Sequence, residues 1–432
     1  MRKTLLVISL SIIAGQVDAA NLADIYRLAR QNDAAYASAQ AAYKAGMEAL
    51  PQGRSLLLPS VNLSAGFDHY DTDTNITNRQ IYTSPGVTLT LTQPLYRKQN
   101  LETLEQAKLQ VDVVAAQLKL AQQSLILRTA QAYFDVLQAK DDLATVQAQK
   151  AAIAEQLALA KKSFEVGAAT IVDTHDAQAS FDSTLALEIA TQNDLDLKCR
   201  ALEKLIMVPA PDLEPLAKDA AVALPQPDDM DAWAKQAETG SLAVTIGQDN
   251  VEIARREVAK QDAGYQPTLD LAASYSEARN GVVGSIGGVD SHSAMIGLQL
   301  GWNLYQGGAT RSLVRQAVAN QERARFDLDD ARRQAALDAR QAFLGVVSGD
   351  ARVKALKQVV VSNDIQLKST KLGLEVGVRT AVDVLNAEQQ LYGSERDLAA
   401  ARYAALISGL NLKAAAGTLS EADLLAVNGM LK

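Results

Sequence analysis

Apolar residues recur at every seventh position along a stretch of the chain that begins after Pro94. Residues 104–160, taken at this spacing, are all apolar, which is typical of a helix in a coiled coil. Between Pro94 and Pro209 the chain has no proline and a single glycine, Gly167. At a rise of ~1.5 Å per residue, residues 98–163 are therefore predicted to form a helix about 100 Å long. The pattern alone also fits an ordinary soluble helical bundle.

Four shorter segments alternate between apolar and polar residues, which is the period of a β-strand with one apolar face. Each has about the length needed to cross a bilayer at a tilt, and small residues on the polar face suit a water-filled lumen. Four strands cannot close a barrel, so membrane strands would have to be shared among several chains. A soluble sheet packed on the helices is the alternative. The segments are residues 61–68, 87–92, 269–274 and 296–303.

Aromatic residues lie near the ends of these strands, where membrane barrels carry interfacial girdles. Within the last strand the alternation predicts that Leu298 faces lipid and Gln299 faces the lumen. The candidates for the girdle are Tyr70, Tyr82, Tyr96, Tyr275, Trp302 and Tyr305.

The chain also repeats itself. Glu165-Val166-Gly167 returns 210 residues later as Glu375-Val376-Gly377, and similar offsets join other short motifs. This indicates one structural repeat used twice, each with a helix, two strands, a very long helix, a glycine turn and a second helix. The predicted divisions are 20–208 for the first repeat, 209–230 for a linker rich in proline and aspartate, 231–416 for the second repeat and 417–432 for a C-terminal segment.

The first residues predict a signal peptide. Arg2 and Lys3 precede an apolar run at 5–15, and Val17-Asp18-Ala19 follows, with the small residue Ala19 where a signal peptidase would cut. Residues 1–19 are expected to be removed on export. No later stretch offers about 18 uninterrupted apolar residues, so no transmembrane helix is predicted in the mature chain.

Composition excludes several classes of function. Lys and Arg number 42 against 50 Asp and Glu, and a net charge of -8 without a long basic run argues against nucleic-acid binding. One cysteine excludes a metal site built from several cysteines, and three histidines far apart in sequence argue against a histidine-based metal centre. No catalytic constellation or phosphate-binding loop is present in the sequence, so neither catalysis nor a cofactor is expected.

Several motifs together resemble the TolC family of trimeric outer-membrane efflux and secretion channels. They are Leu95-Tyr96, residues 304–308, Phe164-Glu165-Val166-Gly167, residues 376–380 and Gly417-Thr418-Leu419. The resemblance covers essentially the whole mature chain. It implies a mainly α fold with a β-barrel part, in which long coiled-coil helices form a periplasmic tunnel. Four strands per chain would contribute to a twelve-stranded barrel in a homotrimer.

The same resemblance implies a function and a set of partners. The chain would be the outer-membrane exit duct of tripartite efflux or type I secretion systems, a passive channel for small molecules or unfolded proteins. It would lie in the outer membrane of a Gram-negative bacterium and extend into the periplasm. Partners would be a periplasmic adaptor (membrane fusion) protein, an inner-membrane RND, ABC or MFS transporter, and outer-membrane lipid. A periplasmic coiled-coil adaptor or scaffold protein is the alternative.

Function is expected to concentrate at the two helical turns. The resemblance implies that the tips contact the adaptor, although both glycines also fit left-handed helix caps. Asp173 and Asp383 follow Thr170 and Thr380 by three residues, which equally fits helix capping. In a trimer these acids would ring a pore and select cations. The tip residues are Val166, Gly167, Ala168, Val376, Gly377 and Val378, and the gate residues are Asp173, Asp176, Arg379, Asp383 and Asn386.

Two gate positions differ between the repeats. The family pattern places a second acid where this chain has Asn386, whereas the first repeat has Asp176 at the equivalent site. Arg379 replaces Ala169, so the turn itself does not require an arginine. A helix N-terminus disfavours a cation, so the charge of Arg379 needs compensation. Asp173 is the expected partner, because equivalent turns lie at the same axial level in a duct built from two repeats. The resemblance implies that this arginine is part of a latch that closes the periplasmic mouth. A solvated arginine that helps to dock the adaptor is the alternative.

Overall fold

The computed structural model describes residues 19–73, 79–167, 169–217, 224–280 and 289–432. The predicted signal peptide, apart from Ala19, lies outside these residues. In the first half of the chain the elements are α1 (Leu22–Asn32), α2 (Ala34–Met47), α3 (Ala49–Ser55), β1 (Ser60–Thr72), β2 (Gln80–Tyr96), α4 (Lys98–Glu165) and α5 (Ile171–Ile206). In the second half they are α6 (Met230–Gly240), α7 (Leu242–Asp262), β3 (Thr268–Asn280), β4 (Val289–Gly301), α8 (Ala309–Glu375), α9 (Ala381–Ala415) and α10 (Glu421–Asn428).

The fold is mainly α with four strands, as the sequence predicts. α4 has 68 residues and α8 has 67, and each is followed by a turn and a shorter helix. The heptad positions explain why α4 stays helical and where it packs, since Leu125, Val146 and Ile153 are fully buried. No helix in the described part of the chain is both long enough and apolar enough to cross a membrane.

The chain divides into two compact units. The helical unit contains Met1–Ala37, Gln122–Ala234 and Asp338–Lys432, and the sheet unit contains Ser38–Ala121 and Lys235–Leu337. Within the helical unit, Trp233 packs with Phe343, Val346, Leu412 and Ala416. Nearer the turns, one cluster joins α4, α5 and α9 through Ile153, Leu157, Ala160, Ala177 and Leu385.

Within the helical unit, the proline-rich linker is hydrogen-bonded to Ala20 and to Lys432. The Ala20 N–H donates to the Asp212 carbonyl at 2.7 Å, and the Lys432 N–H donates to the Pro215 carbonyl at 3.0 Å. Leu216 bridges Leu431 in the antiparallel sense. These bonds satisfy backbone groups of residues 209–217, the described part of the linker before its gap, which belong to none of the named helices and strands.

The four strands form one antiparallel sheet in the order β1-β2-β3-β4. Side chains directly opposite each other share a face, so the register separates an apolar face from a polar face. One row across the apolar face holds Val61, Leu91, Ala273 and Ile296. One row across the polar face holds Ser64, Thr88, Ser276 and Ser293.

The register places two members of the predicted aromatic girdle on the polar face. Tyr70 and Tyr82 lie opposite each other and stack with ring centroids 5.2 Å apart. Counted by twos along β1, Tyr70 shares the polar face with Ser64, so neither tyrosine faces the apolar side. Tyr275 does lie on the apolar face, opposite Leu89.

The remaining aromatic candidates lie near the ends of the strands that adjoin helices. The Tyr96 hydroxyl donates to Gln266 Oε1 at 2.8 Å, and Trp302 Nε1 donates to the Tyr265 carbonyl at 2.9 Å. Tyr305 is exposed just after β4. Polar tips bonded to the backbone or to an amide, with rings left exposed, are typical of aromatic residues at a wet boundary.

Candidate functional site

The two helical turns have the same backbone design. Gly167 and Gly377 have φ angles of +73° and +79°, in the left-handed region that a helix C-cap requires. Their N–H groups donate to the carbonyls of Phe164 and Leu374 at 3.0 Å and 3.1 Å. Any other residue would be strained at these two positions, so the glycines have a structural role whatever else the turns do.

The apolar side chains next to these glycines are exposed to solvent. Val166 is 79% exposed, and Val376 and Val378 are also exposed. Ala168 lies outside the described residues. Three exposed valines at two equivalent turns form an apolar surface that the chain itself leaves uncovered, which is typical of a contact surface for a partner.

Both helices that follow the turns begin with a capping box. The Asp173 N–H donates to Thr170 Oγ1 at 3.2 Å, while Asp173 Oδ2 accepts from the Thr170 N–H at 2.9 Å. Asp383 and Thr380 form the same pair, at 3.1 Å and 2.9 Å. The two acids therefore have a structural role as caps, as their spacing predicts.

The capping bonds also affect protonation. Hydrogen bonds from the Thr170 hydroxyl and N–H lower the pKa of Asp173. Those from the Thr380 N–H and hydroxyl lower the pKa of Asp383, with a smaller contribution from the charge of Arg379. Because their pKa values are lowered, the two ionised carboxylates stabilise the folded turns at pH values above the ordinary Asp pKa. This stabilisation is lost as the pH falls through the lowered pKa. Both acids are therefore ionised at neutral pH and available as fixed charges.

Thr380→Ala is expected to loosen the first turn of α9, because it removes the hydroxyl half of the capping box. Loss of an N-cap costs about 1 kcal/mol, so amide hydrogens of the first turn should exchange about fivefold faster at neutral pH. Hydrogen–deuterium exchange with mass spectrometry measures this on peptides that begin near residue 381. Thr191→Ala is the matched control, because the Thr191 hydroxyl bonds the Leu187 carbonyl inside α5. Equal exchange in Thr380→Ala and wild type would contradict the capping role.

Arg379 is held against α8. Its backbone N–H donates to the Gly373 carbonyl at 3.1 Å, and a Cβ at residue 373 would lie 2.7 Å from Arg379 Cγ. In the first repeat the equivalent places are Ser163 and Ala169, where the N–H of Ala169 donates to the Ser163 carbonyl at 3.2 Å. The repeats thus share the bond but differ in side chains, and glycine occurs where the arginine stem covers the helix.

Among the described residues of one chain, no ion pair joins the predicted partners Arg379 and Asp173. Asp173 is hydrogen-bonded to Thr170 instead. Arg379, Asp176 and Asn386 are exposed. The positive charge of Arg379 contributes to the lowered pKa of Asp383. Three of the five predicted gate residues are thus exposed, whereas Asp173 and Asp383 are half-buried within their capping boxes.

A buried carboxylate near the second turn, Glu388, and its ion pair with the exposed Lys371 were not predicted from the sequence. Lys371 Nζ lies 2.8 Å from Oε1 of Glu388, whose side chain is 1% exposed. Residues 210 positions earlier are Lys161 and Gln178, so the first repeat has no equivalent carboxylate. A comparison of the repeats position by position would have marked Glu388 and Gly373, where one repeat departs from the other, but not the pairing of Glu388 with Lys371.

Among the described residues no group of His, Cys, Asp and Glu side chains could hold a metal ion. The candidate functional features are therefore surfaces. In the helical unit they are two capped turns with exposed valines and charged side chains. In the sheet unit they are the apolar face and the polar face of the sheet.

Comparisons with known proteins agree with this arrangement. The model of the family described as "Outer membrane efflux protein" matches residues 25–206 and 233–418. "Outer membrane protein TolC" of Vibrio cholerae serotype O1 is 35% identical, over 98% of this chain and 97% of the relative. "Proteases secretion protein PrtF" of Dickeya chrysanthemi is 30% identical, over 98% of this chain and 94% of the relative.

Solved structures show the same fold at lower identity. The outer membrane protein VceC of Vibrio cholerae has a TM-score of 0.78 at 18% identity, covering 92% of this chain and 96% of that one. The CmeC outer membrane channel of Campylobacter jejuni has a TM-score of 0.79 at 15% identity, covering 95% of this chain and 90% of that one.

Proposed function

Because the chain belongs to the outer membrane efflux protein family, we propose that three copies of it form an exit duct across the outer membrane for efflux or secretion. The protein is located in the outer membrane, and its family consists of channels rather than enzymes. The observation that carries the proposal is the four-stranded sheet with one apolar face and two edges that lack a strand partner among the described residues.

Physical chemistry requires such a sheet to be completed by other chains. In lipid, every backbone N–H and C=O must find a partner, so open strand edges are excluded from the hydrocarbon region. The edges are β1 and β4, and pairing β4 of one chain with β1 of the next satisfies both. Three chains then close a twelve-stranded barrel, with the apolar face towards lipid and the polar face towards a lumen.

The apolar band on the sheet supports a tilted, membrane-spanning arrangement. Along β1 its apolar residues are centred on residue 64, which lies opposite residue 293 of β4 through the intervening strands. Along β4 the apolar residues are centred on residue 297. The centre of the apolar band therefore shifts by about four residues between β1 and β4. The band lies parallel to the membrane plane only if the strands tilt, as barrel closure requires.

The long helices and the linker would then form the periplasmic part. We propose that the repeats at 20–208 and 231–416 supply the tunnel wall, and that 209–230 and 417–432 form an equatorial belt around it. The pairing of Lys432 with Pro215 and of Ala217 with Met430 supports a belt built from these two segments.

The turns would be the mouth at which partners dock. Val166, Val376 and Val378 present an apolar surface that fits the helical hairpin of a periplasmic adaptor, and the adaptor would connect the duct to an RND, ABC or MFS transporter. The charges behind them, Asp173 and Asp383, would form rings at the entrance and favour cations.

Cargo would move passively and would be chosen by the transporter. The polar face consists largely of small side chains, which suits the passage of small molecules or of an unfolded protein without tight binding. The relative named for protease secretion supports the secretion role, and the family description supports efflux.

The trimer should be visible directly. After extraction from outer membranes, the mature protein should migrate as a trimer without heating and as a monomer after boiling, and it should cross-link as a trimer. The adaptor and scaffold alternatives predict release with the periplasmic fraction. A soluble periplasmic monomer would overturn the proposal.

A further inference from the structure

The polar face of the sheet is lined mostly by small side chains. Serine, threonine, glycine and alanine follow one another along the strands, as in the row of Ser64, Thr88, Ser276 and Ser293. Such a wall offers hydroxyl groups and water but little to hold a solute. A cluster of larger side chains on this face therefore stands out as a place where solutes can be retained.

The cluster lies at the end of the β1–β2 hairpin that is farther from the helices. Tyr70 and Tyr82 stack on each other there, with ring centroids 5.2 Å apart and an angle of 25° between the ring planes. Asp68 precedes Tyr70 by two residues and so shares its face, opposite Ser84. Asp68 Oδ2 lies beside Gly66: a Cβ atom added at Gly66 would be 3.8 Å from this oxygen.

Asp68 differs from the other strand carboxylates. Asp270 pairs with Arg97, Asp71 with Arg79, and Asp290 with Arg279. Glu277 lies 3.9 Å from His292. Within the described part of the chain, Asp68 is the strand carboxylate that no cationic group accompanies, so its charge is free to attract a mobile cation.

We propose that Asp68, Tyr70 and Tyr82 form a site for organic cations, such as ammonium compounds that carry an aromatic ring, near the outer end of the lumen. The carboxylate supplies the opposite charge, and tyrosine ring faces attract cations through their quadrupole. Three copies in a trimer surround one axis, so a cation can be shared among them. The inference rests on the proposed exit duct, because only closure of the barrel makes this face a lumen wall.

A stacked tyrosine pair also stabilises a hairpin by itself, so the test must measure binding. The probe is benzyltrimethylammonium, added to the outer side of single channels of the full-length protein in planar bilayers. Its concentration-dependent reduction of the single-channel current gives an apparent affinity. Tetramethylammonium, which lacks the ring, should block more weakly than benzyltrimethylammonium.

The variants measure separately how much the Asp68 charge and the two tyrosine rings contribute to the block. Asp68→Asn should weaken the block about tenfold, because it removes the charge from the site. Tyr70→Ser combined with Tyr82→Ser should weaken it about threefold to tenfold, whereas the two Tyr→Phe changes should preserve it, since the ring faces remain. Glu277→Gln is the matched control: it removes one carboxylate from the opposite face of the same sheet and should leave the block unchanged.

The outcomes also distinguish the site from the duct. Normal channels in which Asp68→Asn and wild type are blocked equally overturn the site and leave the duct intact. Equal weakening by Asp68→Asn and Glu277→Gln also overturns it, because the effect would then be one of general charge. If the wild-type protein forms no conducting channels, both proposals fail. Heat-modifiable migration confirms that each variant has assembled, and Asp68→Asn keeps the test decisive if the serine variant fails to fold.

Discussion

Leu298→Arg is expected to reduce strongly the amount of assembled trimer in the outer membrane, whereas Gln299→Arg should be tolerated. Leu298 lies on the apolar face opposite Leu271 and is 67% exposed in the single chain. An arginine on the lipid face costs ~2–4 kcal/mol near the bilayer midplane. This is a large fraction of the stability of an ordinary domain.

Gln299 is the matched control because it is the next residue of the same strand. It is exposed on the polar face opposite Asp270, which is already paired with Arg97, so an added cation there meets water rather than lipid. The measurement is the urea midpoint of the reconstituted trimer, together with trimer yield after outer-membrane extraction. Equal loss of stability in both variants, or a greater loss in Gln299→Arg, would show that the faces have been assigned the wrong way round.

Arg379→Ser is expected to raise the single-channel conductance in planar bilayers without reducing trimer yield, and Asp173→Ala should have much the same effect. A charged hydrogen bond contributes roughly 1.5–3 kcal/mol, and less where the site is wet. Three copies would bias the mouth towards a closed state. Since Asp173 is bonded by Thr170 in its own chain, the latch would form through the free lone pairs of its carboxylate, across a chain boundary.

Gly373→Ala offers an independent way to disturb the same latch. The new methyl group would lie 2.7 Å from Arg379 Cγ, so the arginine stem must move while its charge remains. A raised conductance in this variant would indicate that the position of the guanidinium closes the mouth. Ser163→Ala is the control at the equivalent place in the first repeat, where Ala169 follows in place of the arginine.

The same conductance measurements can contradict the latch hypothesis. If Arg379→Ser and Asp173→Ala both conduct like the wild type, Arg379 is a surface or docking residue. Weaker cross-linking of Arg379→Ser to an adaptor, with conductance unchanged, would support the docking role instead.

Local patterns in the sequence determined the elements of this protein. The absence of proline and the single glycine between Pro94 and Pro209 predict one very long helix, and α4 runs from Lys98 to Glu165. The Thr-x-x-Asp spacing predicts both capping boxes. Alternation predicts the two faces of each strand. These features depend on neighbours within one or two turns of the same element, so their physical cause is contained in the local sequence.

The tertiary structure decided which distant residues meet. Alternation already places Tyr70 on the polar side of β1, but only the register across the hairpin brings it onto Tyr82. Packing of α8 against α9 buries Glu388 beside Lys371, and the turn lays Arg379 over Gly373. Such contacts depend on strand register and helix packing, which are set by many side chains at once. A periodic pattern fixes which face a residue occupies, but it does not fix which partner that face meets.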